Sequence, residues 1–216
     1  MTSDAILSEL PLFPLPNTVF FPKTVLPLYV FEPRYRSLVA DALKGNGFIG
    51  VPLLKPGYEP HYAGCPEIYP VFGYGKLIES EKLEEGQYNI ILKGIDRVRL
   101  IEEISSCQPY RIASVEILPD PDEAVIDPLL PALTRIKESF FPLLPFYEKI
   151  PKAFRDCLQK QQDPALFCHL IAMHLIGDCA KRQQLLELPT LAERIQALEK
   201  WMGEQGLHRC GGKAPC

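Results

Sequence analysis

The sequence predicts an α+β fold in which a β-rich half precedes a helical half. Up to residue 118 the chain consists of short apolar runs separated by turn residues, a pattern typical of strands. Beyond the polar, proline-containing segment 119–123, apolar residues recur at helical spacing instead. We therefore expect a small barrel or sandwich in residues 1–118 and a helical bundle in residues 119–202, followed by a flexible tail over residues 203–216.

The β-rich half contains seven candidate strands. Turns are predicted at Glu84-Glu85-Gly86 and around Gly94 and Asp96. Because proline cannot donate to a strand ladder, the prolines of this half predict edge strands, bulged strands or short ones. The strands are expected at Leu10–Phe13, Val25–Phe31, Phe48–Leu54, Val71–Glu79, Tyr88–Leu92, Arg97–Ile104 and Tyr110–Leu118.

Helix signals are found once within the β-rich half and repeatedly after it. Pro33 suits a first helical position, and an apolar face follows it up to about residue 44, comprising Tyr35, Leu38, Val39, Ala42 and Leu43. In the second half, Asp127-Pro128 and Asp163-Pro164 each predict a helix start, with Gly177 ending the second of these helices. Thr190 and Glu193 have the spacing of a capping box.

Composition and charge exclude several classes of protein. A chain of 216 residues buries enough surface to fold without metals or disulfides. The net charge of −4 disfavours a nucleic-acid binder that works by bulk electrostatics. No apolar run reaches the roughly 18 residues of a membrane helix, so no membrane partner is expected.

The cysteines indicate the redox state of the cellular compartment. The chain has seven of them, an odd number, and no pair has the C-x-x-C spacing. The opening Met1 to Leu10 lacks the basic and apolar regions of a secretory leader. We therefore predict reduced thiols, a cytoplasmic location and no bound metal.

No motif predicts a cofactor or a catalytic residue. A phosphate-binding glycine loop is absent, and the pair Gly73 and Gly75 lies in a strand pattern, where glycines usually permit close packing. Cys168, His169 and His174 invite a metal interpretation, but the two histidines are five positions apart, whereas zinc sites on helices use i and i+4. Core packing is favoured for these three residues.

The loop 58–69 is the candidate contact surface. It carries Tyr58, His61, Tyr62 and Tyr69 among turn residues. Tyrosine provides amphipathic contact area at low entropic cost, which favours a polypeptide-binding surface, whereas the alternative is that these rings only cover one end of the β-rich half. Cys65 beside His61 would suit a nucleophile, yet no third group is identifiable to orient it.

A family resemblance rests on several specific segments. The strongest are LPLFPL at 10–15, NTVFFP at 17–22 and LPLYVFEPRYR at 26–36, and GQYNIILKG at 86–94, RVR at 97–99, PY at 109–110 and KRQQLLE at 181–187 continue the pattern. Together they resemble the N-terminal substrate-binding domain of Lon proteases over most of residues 8–202. The Lon ATPase and Ser-Lys protease motifs are not found in the sequence.

The resemblance implies a PUA-like β-barrel half, a helical bundle and non-enzymatic recognition of unfolded or degron-bearing polypeptides, as an adaptor or weak holdase. A protease or chaperone system is then a candidate partner, and no cofactor is implied. Of the motif residues Phe31, Glu32, Pro33, Arg34 and Tyr35, structural roles are favoured over ligand contact, with Phe31 in the core. Lys23 stands where Lon proteins often carry a glycine, which predicts a different turn there.

An alternative function class stays open at this stage. PUA-like barrels also bind RNA or small ligands, and a fold alone does not fix function. Arg97 and Arg99, which alternate on a predicted strand, are the best local basic feature for that alternative. The acidic balance of the chain favours polypeptide binding instead.

Overall fold

The computed structural model describes residues 6–62, 64–119, 130–141 and 152–204. These residues form two compact units: the first contains the chain up to Pro119 together with Ile176–Glu187, and the second contains the remainder. The sequence pattern predicts a helical half that includes all of residues 119–202, whereas the contacts assign Ile176–Glu187 to the first unit. The expected Asp127-Pro128 helix start and residues 205–216 of the expected tail lie outside the described residues.

The first unit is built on a six-stranded sheet. The neighbouring order is β2-β5-β4-β3-β1-β6, and β5 also pairs with β6. Starting from β5, the ladder therefore passes through β4, β3, β1 and β6 and returns to β5. The mixed α+β character is confirmed, while the predicted barrel stays a prediction. The strands are β1 (Ile6–Leu12), β2 (Val25–Val30), β3 (Phe48–Val51), β4 (Val71–Lys82), β5 (Tyr88–Ile104) and β6 (Arg111–Leu118).

Strand β5 corrects the expected turn at Gly94 and Asp96. The chain continues through these residues as one strand of 17 residues. Tyr74 pairs with Asp96 and Gly75 with Gly94, so Ile95 is left as an extra residue in a bulge. A Cβ on Gly94 would lie 2.3 Å from the Phe21 carbonyl oxygen. The glycine is therefore required by close backbone packing, and the sequence signal for a turn was misleading.

Close packing also explains the other glycine pair. A Cβ on Gly73 would lie 2.0 Å from the carbonyl oxygen of Phe20, and one on Gly75 would lie 2.5 Å from that of Lys93. No such separation is tolerated between nonbonded atoms, so both positions require glycine. The interpretation of this pair as packing residues within a strand is confirmed.

The helix α1 (Pro33–Lys44) covers part of this sheet. Its residues Tyr35, Leu38, Val39 and Ala42 are buried in a cluster that also contains Phe13, Val30, Ile90 and Leu92. The rings of Phe13 and Tyr35 stack at a centroid distance of 4.1 Å. Leu43, expected on the same face, is 47% exposed, so that part of the prediction is wrong.

The turn before β2 contains a residue in the left-handed conformation that is not a glycine. Lys23 has a φ of 64° and is the one described non-glycine residue with positive φ. Its backbone N–H donates to the Gly94 carbonyl oxygen at 3.0 Å. Lysine therefore adopts here a conformation that glycine would favour, and the expectation that this turn differs from that of Lon proteins stays a prediction.

Helix α5 (Cys179–Glu187) belongs to the sheet unit through buried polar contacts. The Gln183 side chain donates to the Val71 carbonyl oxygen of β4 at 2.8 Å. The Arg97 guanidinium donates to the carbonyl oxygen of Leu186 at 3.0 Å. Carbonyls in the last turn of a helix lack intrahelical partners, so Arg97 satisfies one that would otherwise be left buried and unpaired.

The second unit contains helices with the expected caps. They are α2 (Leu130–Phe140), α3 (Lys152–Lys160), α4 (Pro164–Leu175) and α6 (Leu191–Glu204). Asp163 accepts from the backbone of Ala165 at 2.9 Å, as an N-cap does. The capping box is confirmed, since Thr190 N–H donates to Glu193 at 3.0 Å and Glu193 N–H donates to Thr190 Oγ1 at 3.2 Å.

The cysteine–histidine group of this unit is only partly core. Cys168 and His169 are buried, as expected, and His169 Nε2 lies 3.4 Å from the buried guanidinium of Arg194. His174 is exposed, with its ring 4.3 Å from that of Phe154, so its predicted core position is wrong. The described residues include no group of three potential metal ligands.

Candidate functional site: an edge strand and its aromatic surface

Strand β2 lies at the edge of the sheet. Within the described part of the chain it pairs with β5 alone, from Val25 opposite Lys93 to Val30 opposite Tyr88. Its sequence favours an edge position because Pro27 has no N–H to donate. The opposite edge of β2 therefore presents backbone N–H and C=O groups that are not paired with another strand of the described sheet.

Three large apolar side chains project outward along this edge. Val25, Tyr29 and Phe31 are 50%, 54% and 57% exposed. The ring centroids of Tyr29 and Phe31 lie 5.9 Å apart, and the Tyr29 hydroxyl donates to Gln87 Oε1 at 2.6 Å. We call these three residues the β2 surface. Apolar side chains grouped at a sheet edge are a common feature of binding surfaces.

The exposure of Phe31 corrects its expected core position. Leu26 and Val30 are buried, whereas Val25 and Tyr29 are exposed, so alternate residues face outward. Phe31 continues the outward series just beyond the strand. The period-two pattern of residues 25–31 is present in the sequence and is the signal that could have identified Phe31 as an outward-facing residue.

The FEPR motif connects the end of β2 to the predicted loop. Tyr62 Oη donates to Glu32 Oε1 at 2.9 Å, and Arg34 Nε donates to Glu32 Oε2 at 3.0 Å. Arg34 also donates to the Tyr62 carbonyl oxygen at 3.3 Å, and its guanidinium carbon lies 4.6 Å from the centre of the Tyr35 ring. Pro33, as predicted, occupies the first turn of α1.

The four predicted loop residues are placed differently from one another. Tyr58 and Tyr62 are half-buried against the apolar cluster of the sheet, with their ring centroids 6.1 Å apart. His61 is exposed at the end of a short 3-10 helix, and Tyr69 is half-buried, with its N–H bonded to Leu53 O. The structure thus brings Tyr58 and Tyr62 together with the motif. The binding role of these four residues stays a prediction.

Two concave regions lie among the residues described above. A groove of about 510 Å³ crosses β2, β5 and β4, and its lining includes Pro27, Tyr29, Glu79, Glu81, Asn89 and Ile91. A second cavity of about 400 Å³ lies beside the predicted loop, and its lining includes Arg34, Tyr35, Cys65, Glu103, Tyr110 and Arg111. No local sequence pattern predicts the groove, because its residues come from three different strands that only the fold brings together.

Burial raises the pKa of two tyrosines in this region. It raises the pKa of Tyr35 to about 12, against the opposing effect of the neighbouring Arg34 guanidinium. Burial also raises the pKa of Tyr62, and its hydrogen bond with Glu32 raises it further. Both phenols are therefore protonated at neutral pH, and Tyr62 donates its proton in the hydrogen bond to Glu32.

The predicted basic feature is not a basic patch. Arg97 is 2% exposed and is bonded to helix α5, as described above. Arg99 is exposed, but it forms an ion pair with Glu116 at 2.9 Å. A surface for a phosphate backbone needs accessible cations, so these two residues do not provide one. No helix in the described ranges is both long and apolar enough to span a membrane.

Comparison with known proteins identifies the class. The model of the ATP-dependent protease La (LON) substrate-binding domain matches residues 9–204. The chain belongs to this family. The match is to the substrate-binding domain, and the resemblance found in the sequence is confirmed.

The relatives are much longer than this chain. It is 27% identical over 199 residues to a Lon protease of Anaeromyxobacter dehalogenans, covering 91% of the chain and 23% of the relative. It is 28% identical over 211 residues to Lon protease 2 of Herpetosiphon aurantiacus, covering 94% and 24%. The chain therefore spans about a quarter of the length of the curated relatives it matches.

Two solved structures share the fold. The N-terminal domain of a Mycobacterium avium complex Lon protease has a TM-score of 0.72 at 16% identity, covering 91% of this chain and 99% of that one. A Lon N-terminal domain protein from Xanthomonas campestris has a TM-score of 0.65 at 21% identity, covering 90% and 99%.

Proposed function

We propose that this protein recognises unfolded or degron-bearing polypeptide without catalysing a reaction, and that an extended segment of the client binds along β2. The observation that carries the proposal is the β2 edge with its exposed Tyr29 and Phe31. The family, whose model describes a substrate-binding domain, supports the same class of ligand. The setting we propose is the cytoplasm, with a protease or chaperone system as the downstream partner.

The backbone of β2 provides affinity that does not depend on client sequence. An extended peptide that adds to a sheet edge forms main-chain hydrogen bonds, which every sequence can make. Pro27 removes one donor from β2 and so limits how tightly any strand can pair there. We infer that the five strands whose ladder returns to β5 form the predicted small barrel, which holds this edge rigid.

The side chains provide a preference for apolar clients. Val25, Tyr29 and Phe31 offer contact area without a deep pocket. Tyr58 and Tyr62 lie beside the motif that follows β2, so an apolar client side chain that extends beyond Phe31 would meet the loop. A site with few deep anchors has modest affinity. We therefore expect a dissociation constant of about 1 μM or higher, which corresponds to a binding free energy of about −8 kcal/mol or a weaker one.

Fluorescence anisotropy with a labelled, unfolded model peptide tests the surface. In the variant Tyr29→Ser/Phe31→Ser, binding should weaken about tenfold or more, because both anchors are lost. The matched control is Leu43→Ser/Ile101→Ser, which removes exposed apolar side chains elsewhere on the same unit. Equal weakening in both double variants, or none in the first, would move the site away from β2.

A second experiment tests strand addition itself. Methylation of alternate peptide nitrogens on one side of an extended peptide removes its donors to a neighbouring strand. One of the two alternating methylation patterns should abolish binding, while the other leaves it nearly intact. If both patterns bind equally well, the peptide does not pair with the backbone of β2.

A further inference from the structure

The groove beside β2 has an ordered chemical gradient from apolar to acidic. Two cross-strand rows form it: Tyr29 lies opposite Asn89, which lies opposite Glu81, and Pro27 lies opposite Ile91, which lies opposite Glu79. Each row runs from the sheet edge at β2, across β5, to β4. The wall nearest the edge is thus aromatic and apolar, and the far wall carries two carboxylates.

The two carboxylates are available to a ligand. Glu79 and Glu81 are exposed, and neither forms an ion pair within the described part of the chain. Glu81 Oε2 accepts a hydrogen bond from Asn89 Nδ2 at 3.0 Å, which fixes its position on the groove wall.

The dimensions of the groove suit a long cationic side chain. Neighbouring strands lie about 4.8 Å apart, so a client segment paired with the open edge of β2 lies three spacings, roughly 14 Å, from the backbone of Glu79 and Glu81. A lysine or arginine lays its methylene stem on apolar surface and keeps its charged head at a polar end. Here the stem would lie over Pro27 or Tyr29 and point toward Ile91, which brings the head within the roughly 8 Å Debye length over which exposed charges attract one another.

Tyr29 contributes to the same preference. Its hydroxyl is bonded to Gln87, so its ring is held at the side of the groove rather than rotating freely. The face of an aromatic ring attracts a cation that lies within about 6 Å. A cationic side chain that crosses this ring on its way to Glu81 is therefore favoured at both ends of its path.

We propose that the groove selects client segments in which lysine or arginine lies next to apolar residues. This inference rests on the proposed polypeptide-binding function and names the class of client for the same site. The apolar neighbours occupy the β2 surface, and the cation extends across β2 toward the field of Glu79 and Glu81. A segment with an acidic residue in the same place meets two like charges and is disfavoured.

Three peptides test the selection. They share one extended apolar sequence and differ only at a central position, which is lysine, glutamine or glutamate. The lysine peptide should bind about fivefold more tightly than the glutamine peptide, and the glutamate peptide more weakly than both. The difference between lysine and glutamine should shrink as salt is added, because exposed charges are screened.

The variant Glu79→Gln/Glu81→Gln locates the selection. Glutamine keeps an acceptor for Asn89 and removes both charges, so the three peptides should bind with nearly equal affinity. The control Glu102→Gln/Glu138→Gln removes the same number of exposed charges elsewhere and should preserve the preference for lysine. Circular dichroism of each variant verifies that it is folded.

The outcomes separate this inference from the function on which it rests. If the unsubstituted protein binds all three peptides equally, the charge selection is wrong and polypeptide recognition stands. If the preference for lysine persists in Glu79→Gln/Glu81→Gln, the cation binds elsewhere and the inference is wrong. If none of the peptides binds to the unsubstituted protein, the proposed function itself is overturned.

Discussion

The phenolic oxygen of Tyr62 lies 2.9 Å from Glu32 Oε1, and this hydrogen bond joins residues 30 positions apart in the chain. It connects the loop that follows β3 to the residue that precedes α1. Arg34 closes the arrangement, since it bonds both the Glu32 carboxylate and the Tyr62 carbonyl. These bonds of Glu32 and Arg34 therefore hold the loop against the sheet unit.

Replacing Tyr62 by phenylalanine should destabilise the protein by about 1 kcal/mol. The substitution removes only the hydroxyl, and a half-buried hydrogen bond to a charged acceptor contributes about this much net free energy. Urea denaturation measures the change. The control is Tyr58→Phe, because the Tyr58 hydroxyl has no hydrogen-bond partner in the described ranges and its removal should change stability by less than about 0.5 kcal/mol. Equal effects of the two substitutions would show that the bond to Glu32 contributes nothing.

Replacing Lys23 by glycine should stabilise the protein by about 0.5 kcal/mol. The left-handed conformation of Lys23 costs a non-glycine residue roughly 1–2 kcal/mol, and glycine avoids this cost. Part of the stabilisation is lost again, because glycine has more conformational freedom in the unfolded chain. The free energy of unfolding in urea measures the change. Lys23→Ala is the control: alanine retains the Cβ that causes the strain, so it should not stabilise. A glycine variant no more stable than the alanine variant would contradict this account.

The sequence predicted what depends on local pattern and missed what depends on distant contacts. Period-two and helical patterns were sufficient to predict α1, most strands and the caps at Asp163 and Thr190. The turn wrongly expected at Gly94 shows the limit. A glycine is required both by turns and by close backbone packing, and only the position of Phe21 distinguishes them.

The candidate site was partly predictable for the same reason. Tyr62 was identified from the composition of its loop, but its partner Glu32 is brought to it only by the fold. Arg97, the candidate basic feature for nucleic-acid binding, is buried instead. Its carbonyl partner on Leu186 lies 89 positions later in the chain, on a helix that no local pattern assigns to the sheet unit.

Replacing Arg97 by methionine should destabilise the protein by about 2–4 kcal/mol. The methionine fills much of the space but leaves the Leu186 carbonyl oxygen buried without the donor that Arg97 provides. Denaturant unfolding measures the loss. The matched control is Arg99→Met, two residues along the same strand, where the exposed ion pair with Glu116 contributes less than about 1 kcal/mol. If the two substitutions cost the same, Arg97 does not stabilise the attachment of α5.

Alkaline pH should destabilise the protein through two buried tyrosines. Burial raises the pKa of Tyr35 to about 12, and burial together with the hydrogen bond to Asp41 raises that of Tyr110 to about 12. Below about pH 10 both phenols keep their protons in the folded and unfolded states, so they add no pH dependence. Between about pH 10 and about pH 12 the unfolded chain loses protons that the folded protein retains, and stability falls with rising pH.

Urea unfolding at a series of alkaline pH values tests this linkage. Each tyrosine contributes a slope of up to about 1.4 kcal/mol per pH unit within the window. The variant Tyr35→Phe/Tyr110→Phe is less stable at neutral pH, because the bond from Tyr110 to Asp41 is lost, but its stability should fall less steeply as the pH rises. The slope of the free energy of unfolding against pH separates the two effects. Loss of a hydrogen bond lowers this free energy at every pH, whereas loss of a titrating group makes it fall less steeply. An equally steep curve in the double variant would show that other groups cause the alkaline loss.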